Sequence, residues 1–268
     1  IRNVYGTPLK TGLSVDTCTD IGRLIEVDFS PLWWETSGLP GAPTEQAART
    51  AVRQFISERG TAFDIGRSDW EYIYRVRASG YAVGFVIRPG AQGTANAVMF
   101  GAELVDCGTA LLLQGLNDIG LSATGCRFSG RGPAVHAPPT FNSTAQLNSC
   151  VLSSDTASGV LLEGDGTITF QNCTFDAWAD WAVDAPAGQL SVMGCNFPWP
   201  STHVRLGPAV RRARLLGNTF ARGPVVVDET RDADVQIAHE GFQFARPDVT
   251  PHPSPPDPRP ATRELFVV

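Results

Sequence analysis

The five residues Thr124-Gly125-Cys126-Arg127-Phe128 begin a phrase that returns about every 22 to 25 residues between positions 118 and 242. In each copy, a Cys or Asn follows a Gly, Ser or Asn, and a Phe or Leu comes two positions later. The other copies are Asn148-Ser149-Cys150-Val151-Leu152, Gln171-Asn172-Cys173-Thr174-Phe175, Met193-Gly194-Cys195-Asn196-Phe197 and Leu216-Gly217-Asn218-Thr219-Phe220. A fixed period of this length indicates a repeat architecture.

A second set of apolar runs recurs in step with the first. Successive members are 24, 25, 23, 21 and 21 residues apart and start at Leu111, Val135, Val160, Val183, Val204 and Val225. The runs are short, often β-branched and bounded by Gly, Pro, Asn or Asp, whereas helical repeats need amphipathic runs of ten or more residues. We therefore predict an all-β parallel solenoid whose coils stack about 4.8 Å apart.

The cysteines of the phrase are expected to form one inward column. We predict that Cys126, Cys150, Cys173 and Cys195 are free thiols packed as small apolar side chains, in preference to disulfides. The redox states of Cys18 and Cys107, which lie off this column, are left open. The column is predicted to continue backwards through Val27, Val76 and Ala102 and forwards through Asn218 and Glu240, where its polarity indicates a capped or exposed last coil.

Composition narrows the classes of partner. Of the 268 residues 18% are charged, the net charge is −6, and no Lys/Arg cluster follows one face, so nucleic acid and anionic membranes are not expected partners. No apolar run is long enough to span a bilayer. We predict one β-helix domain over residues 1–245 and a Pro-rich C-terminal tail over residues 246–268. The strand-like start at residues 1–5 suggests a preceding coil or cap.

Residues 31–60 interrupt the rhythm of the coils. They open with Pro31-Leu32-Trp33-Trp34, and a helix is predicted from an N-cap at Thr44 to Glu58, ending at Gly60. Its buried face is predicted to carry Ala47, Val52, Phe55 and Ile56. We interpret the segment as an insertion that loops out and leaves the coils on either side adjacent, and insertions in solenoids often build the binding face.

Outward positions of the second set of runs are the first place to look for chemistry, because stacked side chains there form a rigid surface. One predicted column reads Ser14, Asp64, Gly84, Leu112, His136, Leu161, Asp184, Arg205, Val226. The next reads Asp16, Gly66, Val86, Gln114, Pro138, Glu163, Pro186, Gly207, Asp228. Diagonal neighbours in adjacent coils have Cα atoms about 8 Å apart, which describes Asp16 and Asp64.

Paired carboxylates at such a separation are the groups that cleave glycosidic bonds, one as acid and one as nucleophile or base. Asp16 with Asp64, or Asp69 with Glu71, are the candidate catalytic pairs. The candidate substrate-binding residues are three tryptophans, which can stack on sugar rings, and two polar residues: Trp33, Trp34, Trp70, Arg67 and His136. His136 and Asp184 share a column but lie two coils apart, so no direct pair is expected between them.

The Cys/Asn-x-Phe coils, together with residues 66–72 (Gly-Arg-Ser-Asp-Trp-Glu-Tyr) and 80–84 (Gly-Tyr-Ala-Val-Gly), resemble the pectate-lyase-like superfamily of right-handed parallel β-helices. More narrowly, the chain is similar to bacterial proteins described as pectate-lyase- or polygalacturonase-related. The resemblance implies a right-handed parallel β-helix with one helical insertion, in a secreted or cell-surface protein acting on polysaccharide. The polygalacturonase motifs Asn-Thr-Asp, Asp-Asp, His-Gly and Arg-Ile-Lys are absent, so no catalytic residue is carried over.

Three functions follow from these observations. We expect a carbohydrate-active enzyme, with a glycoside hydrolase favoured, that needs no cofactor or metal. A polysaccharide lyase is the first alternative, in which Asp16, Asp20 and Asp64 with Arg67 imitate the Ca²⁺ cluster and arginine base of pectate lyases. The second is a non-catalytic glycan-binding module, adhesin-like or tailspike-like, for which a homo-oligomer such as a trimer is left open.

Overall fold

The computed structural model describes residues 1–238, and strands make up most of it. They wind through about ten turns. In chain order the elements are β1 (Arg2–Gly6), β2 (Thr11–Val15), β3 (Ile21–Phe29), α1 (Pro31–Glu35), α2 (Gln46–Arg59), β4 (Thr61–Ile65), β5 (Ser68–Tyr74), β6 (Arg77–Ser79), β7 (Val83–Ile87), β8 (Ala95–Phe100), β9 (Glu103–Cys107), β10 (Thr109–Leu113), β11 (Leu121–Thr124), β12 (Arg127–Gly130), β13 (Val135–Ala137), β14 (Thr144–Asn148), β15 (Val151–Ser154), β16 (Val160–Leu162), β17 (Thr167–Gln171), β18 (Thr174–Ala177), β19 (Val183–Met193), β20 (Asn196–Phe197), β21 (Val204–Leu216), β22 (Thr219–Phe220), β23 (Val226–Asp228) and β24 (Asp234–Ala238).

Each turn of the chain adds a strand to each of three parallel sheets. The first sheet contains β2, β4, β7, β10, β13, β16, the starts of β19 and β21, and β23. The second contains the start of β3, then β5, β8, β11, β14, β17, the ends of β19 and β21, and β24. The third contains β1, the end of β3, β6, β9, β12, β15, β18, β20 and β22. The predicted right-handed parallel β-helix is confirmed.

The corner between the second and third sheets explains the Gly, Ser or Asn that precedes each cysteine. In every coil the residue at this corner has a positive φ, between 49° and 62°: Asn3, Glu26, Arg75, Gly101, Gly125, Ser149, Asn172, Gly194 and Gly217. This left-handed conformation costs glycine least and is tolerated by asparagine. The bend turns the next residue inward, which places the cysteines in the interior.

The interior column is formed as predicted. Cys126, Cys150, Cys173 and Cys195 are each at most 2% exposed and unpaired, as are the buried Cys107 and the exposed Cys18. The backbone N–H of Cys150 donates to the sulfur of Cys173 over 3.4 Å, and the N–H of Cys173 donates to the sulfur of Cys195 over the same distance. Stacked phenylalanines run beside the column.

The predicted polar end of that column lies partly within the structure. Asn218 is half-buried, and its side chain accepts a hydrogen bond from the N–H of Cys195 and donates one to the carbonyl of Val192, each 2.8 Å long. The polar residue therefore continues the internal stack. Glu240 and the predicted tail lie outside the described residues.

Two predicted registers in the first sheet are wrong. Phe63 pairs with Phe85, two residues beyond the predicted Val83, and Val204 pairs with Val226, one residue beyond the predicted Val225. A slip of two preserves the alternation of inward and outward side chains, so the apolar pattern does not detect it. The outward columns consequently contain Val86 in place of Gly84 and Val227 in place of Val226.

The insertion loops out as predicted, because Ser14 and Asp64 on either side of it are direct partners in neighbouring strands. Helix α2 begins after Glu45, one residue later than the predicted N-cap, and Glu45 makes no side-chain cap. Ile56 is fully buried and Val52 half-buried, but Ala47 and Phe55 are exposed, so the predicted buried face is wrong at two positions. The buried Glu35 accepts a 2.7 Å hydrogen bond from Arg53, which joins α1 to α2.

Candidate functional site

The predicted acid pair Asp16 and Asp64 lies at the carboxyl ends of β2 and β4, and an arginine contacts both. Arg88 follows β7 in the next coil and binds Asp64 through two hydrogen bonds, from Nε to Oδ1 (2.6 Å) and from Nη2 to Oδ2 (2.9 Å). Its Nη1 lies 3.4 Å from Oδ2 of Asp16. The guanidinium therefore occupies the position between the two carboxylates, where a bound cation or a sugar would need to lie.

Backbone amides hold the carboxylate of Asp16 from the other side. Its Oδ1 accepts hydrogen bonds of 2.8 Å from the N–H groups of Thr17 and Arg67. These bonds, the Arg67 amide first, and the nearby guanidinium of Arg88 lower the pKa of Asp16 below its ordinary value. An ionised carboxylate that already accepts several hydrogen bonds is poorly suited to be the proton donor in glycoside cleavage.

The second predicted pair, Asp69 and Glu71, is divided between the outside and the inside of the coil. Asp69 is exposed and forms an ion pair with Arg67. Glu71 is only 1% exposed and accepts a 2.8 Å hydrogen bond from Ser68, while its Oε2 has no partner among residues 1–238. Burial raises the pKa of Glu71 above its ordinary value. These two carboxylates do not share a surface.

Trp70 lies on the outward side of β5, in a row of aromatic rings. Its ring centroid is 6.3 Å from that of Tyr72, which is 6.4 Å from that of Tyr74, and the guanidinium of Arg23 covers Tyr72. The indole N–H of Trp70 and Nη1 of Arg67 are buried without a hydrogen-bond partner in the described part of the chain. Of these residues, Arg67 contacts Asp16 through its backbone N–H.

His136 has a carboxylate partner that the sequence analysis did not propose. Its Nε2 lies 2.8 Å from Oε2 of Glu163 in the following coil. Asp184, two coils away, is bound by Arg205 through hydrogen bonds of 2.8 and 2.9 Å. Leu161 pairs in register with both His136 and Asp184, so the predicted separation of two coils between them is confirmed.

Trp33 and Trp34 lie away from the acid pair, in the insertion. They belong to α1, where the N–H of Trp34 donates to Oγ1 of Thr7 and the ring of Trp33 lies 5.1 Å from that of Tyr5. Thr7 precedes β2 and Asp16 follows it, so this strand of about 17 Å separates the two groups. The tryptophans and the acid pair do not form one site.

Two cavities adjoin Trp33, which is 41% exposed and lines both. The first has a volume of about 530 Å³ and a mostly apolar wall that includes Tyr5, Leu9 and Trp34. The second, of about 420 Å³, also has a mainly apolar wall, but its lining includes the charged residues Asp28, Arg77 and Glu103.

The charged residues of this wall belong to a column of outward side chains on the third sheet. Asp28 pairs in register with Tyr5 on one side and Arg77 on the other, and Arg77 pairs with Glu103. Nη2 of Arg77 donates to Glu103 over 3.2 Å, whereas Asp28 is half-buried and its carboxylate forms no hydrogen bond or ion pair within residues 1–238. The sequence analysis missed this site, although each wall residue directly follows a member of the interior column.

No protein-family model matches the chain, and no significant match to it was found among curated proteins or solved structures. The fold itself is a right-handed parallel β-helix. Within residues 1–238, no helix has the length and apolar character needed to cross a membrane. In the same part of the chain, no three His, Cys, Asp or Glu side chains are grouped so as to hold a metal ion.

Proposed function

We propose that the protein is an extracellular glycan-binding β-helix whose ligand contacts Trp33 and the column beside it. One observation carries this proposal: a partly exposed tryptophan lines two cavities at once, and the second of them also has charged side chains in its wall. A sugar ring has an apolar face that packs on an aromatic ring and a rim of hydroxyl groups that bind carboxylates and guanidinium groups. The resemblance of the coils to the pectate-lyase-like superfamily supports polysaccharide as the ligand class.

The sizes of the cavities suit an oligosaccharide. Volumes of about 530 and 420 Å³ each fall in the usual range of small-molecule sites, roughly 300–1,000 Å³. Because Trp33 borders both cavities, a single oligosaccharide that packs on its ring could place one sugar unit in each cavity. This arrangement favours a polymer or oligomer over a single monosaccharide.

Binding accounts for the geometry better than hydrolysis does. Glycoside cleavage needs one protonated and one ionised carboxyl group facing the same bond. Asp16, Asp64 and Asp69 each contact an arginine, and Glu71 is enclosed in the coil. A calcium-dependent lyase would need the space between Asp16 and Asp64 that Arg88 fills.

The proposal is tested by titrating the protein against a panel of soluble polysaccharides and oligosaccharides by calorimetry. We expect at least one glycan to bind, and Trp33→Ala to weaken its binding about tenfold or more. Trp199→Ala is the matched control, because Trp199 is also an exposed tryptophan but lies in a later coil, outside both cavities. Unchanged binding by Trp33→Ala, or no binding to any glycan, would overturn the proposal.

Mass spectrometry of the same mixtures, with and without chelator, distinguishes binding from catalysis. We expect no released product. Saturated products that disappear in Asp64→Asn would restore the hydrolase, and unsaturated products lost with chelator would indicate the Ca²⁺-dependent lyase. Either result would contradict a purely binding role.

A further inference from the structure

We infer that the glycan unit held beside Trp33 carries a free, protonated amino group, as in a polymer of hexosamine that is not N-acetylated. The inference rests on the proposed function and names the ligand class of the same site. It is drawn from the carboxylate of Asp28 and from the neighbouring aromatic rings of Tyr5 and Trp33.

The carboxylate of Asp28 is the unpaired charge of the second cavity. It is half-buried and lines the cavity, yet it forms no hydrogen bond or ion pair with any residue in the range 1–238. The nearest arginine in the column, Arg77, donates instead to Glu103, and those two charges cancel. The four residues Tyr5, Asp28, Arg77 and Glu103 therefore leave a net charge of −1 facing the ligand.

The aromatic rings beside Asp28 suit a cation. Tyr5 is its direct partner in the neighbouring strand, and the Tyr5 ring lies 5.1 Å from the indole of Trp33. Tryptophan and tyrosine faces attract ammonium groups through their ring quadrupoles, most strongly when the site is partly desolvated. A ligand ammonium in the second cavity would form a charge-assisted hydrogen bond with Asp28 beside the ring of Trp33, with Tyr5 in the adjoining strand.

An amino sugar combines these requirements better than a neutral sugar. Its ring packs on Trp33 as any pyranose does, and its ammonium supplies the charge that balances Asp28. Hydroxyl groups alone would donate hydrogen bonds to the carboxylate but leave its charge uncompensated. N-acetylation removes the positive charge and adds bulk, so the acetylated sugar is expected to bind more weakly.

The test compares three β-1,4-linked oligosaccharides of equal length by calorimetry, at a pH where the amine is protonated. The ligands are oligomers of glucosamine, N-acetylglucosamine and glucose. We expect the glucosamine oligomer to bind about tenfold or more tightly than the other two, and Asp28→Asn to abolish this preference with its melting temperature unchanged. Asp118→Asn, which alters an exposed carboxylate elsewhere, is the control and keeps the preference.

The outcomes separate this inference from the function on which it rests. Equal affinities for the three oligomers, or a preference retained in Asp28→Asn, would overturn the amine while leaving glycan binding intact. Failure of these oligomers and of the whole polysaccharide panel to bind would overturn both. Loss of all binding in Trp33→Ala together with loss of amine preference alone in Asp28→Asn would support both.

Discussion

Arg88 and Asp64 form a parallel, two-bond ion pair across neighbouring coils, with 2.6 Å between Nε and Oδ1 and 2.9 Å between Nη2 and Oδ2. Oδ2 of Asp64 also accepts a 3.3 Å hydrogen bond from Ser14 of the preceding coil. Three successive coils are thereby joined on the outer surface of the first sheet. Asp64, which the sequence suggested as a catalytic acid, is better explained as a structural link.

Replacing Arg88 with Met should therefore destabilise the fold without affecting glycan binding at Trp33. Because the pair is bidentate but still partly solvated, we expect a loss of about 1 kcal/mol, or a decrease of about 2–4 °C in melting temperature. Thermal unfolding measures this change. Arg127→Met is the control, since Arg127 lies 4.0 Å from Asp176 with both side chains about half exposed. Equal melting temperatures for Arg88→Met and the wild type would contradict the structural role.

Glu71 is expected to destabilise the protein at neutral pH. Burial raises its pKa, so the folded state either keeps a proton or encloses a charge, while the unfolded chain ionises near pH 4.5. Below this pH Glu71 is protonated in both states and does not lower the free energy of unfolding. As the pH rises toward the folded-state pKa, ionisation of the unfolded chain lowers that free energy. Glu71→Gln, which keeps the acceptor for Ser68, should be more stable at pH 7 by about 1.4 kcal/mol per unit of pKa shift.

Urea unfolding at pH 7 and pH 4 measures the effect of Glu71. The advantage of Glu71→Gln should vanish at pH 4, where both proteins are neutral at this position. The exposed Glu103 provides the matched control, and Glu103→Gln should change stability little at either pH. A Glu71→Gln variant less stable than the wild type at pH 7 would show that the buried carboxylate is stabilising.

His203 should make the fold sensitive to acid. The ring is fully buried; Nδ1 accepts a 2.8 Å hydrogen bond from the N–H of Val225, and Nε2 lies 2.9 Å from the carbonyl of Trp199. A neutral ring protonated on Nε2 satisfies both contacts, and burial lowers its pKa. This contribution is present above the unfolded pKa of about 6.5 and is lost as the pH falls below it, by at most about 1.4 kcal/mol per pH unit.

Nuclear magnetic resonance titration of the imidazole nitrogens tests this directly. We expect Nδ1 of His203 to remain unprotonated well below pH 6.5 in the folded protein. In urea unfolding, His203→Gln should remove the loss of stability between pH 7 and 5, whereas His136→Gln should retain it. A normal titration of His203 near pH 6.5 would contradict the buried neutral ring.

The coil plan was predictable because one chemical requirement recurs at one position. A left-handed bend favours Gly or Asn, and in most coils an apolar residue follows it. A pair such as Gly194 and Cys195 therefore marks the bend of its coil in the sequence. In two of the first coils, Glu26 and Arg75 occupy the same bend, and neither residue type indicates a left-handed conformation. In those coils only the apolar residues that follow the bend, Val27 and Val76, indicate where it lies.

The site was less predictable, since it depends on register and on the insertion. The two-residue slip at Val83 hid the fact that Arg88 reaches Asp64, because alternation is unchanged by such a slip. Asp28 directly follows an interior residue, and nothing local indicates that it lines a cavity. That cavity exists because α1 brings Trp33 over the third sheet, a tertiary placement that no periodicity encodes.

Cys18 should react with a thiol reagent faster than the other five cysteines in the native protein. Cys18 is exposed, whereas the other five are buried, and burial raises the pKa of Cys107 to about 12. Because the reagent must reach the sulfur, we expect an aromatic disulfide reagent to label one thiol rapidly in the native protein and six in denaturant. Cys18→Ser should remove the rapid reaction. Several fast thiols in the native protein would contradict the enclosed column.

Asn218 ends the described part of the sulfur column, and its two hydrogen bonds make it the member most sensitive to substitution. Asn218→Ala would leave the N–H of Cys195 and the carbonyl of Val192 without partners, at a cost of about 1–3 kcal/mol. Asn218→Cys restores a sulfur acceptor like those of the preceding coils, so it should be intermediate in stability. The exposed Asn196, whose side chain makes no hydrogen bond within residues 1–238, provides the control Asn196→Ala. Urea unfolding that ranks Asn218→Ala equal to the wild type would show that water replaces both bonds and that the column needs no polar end.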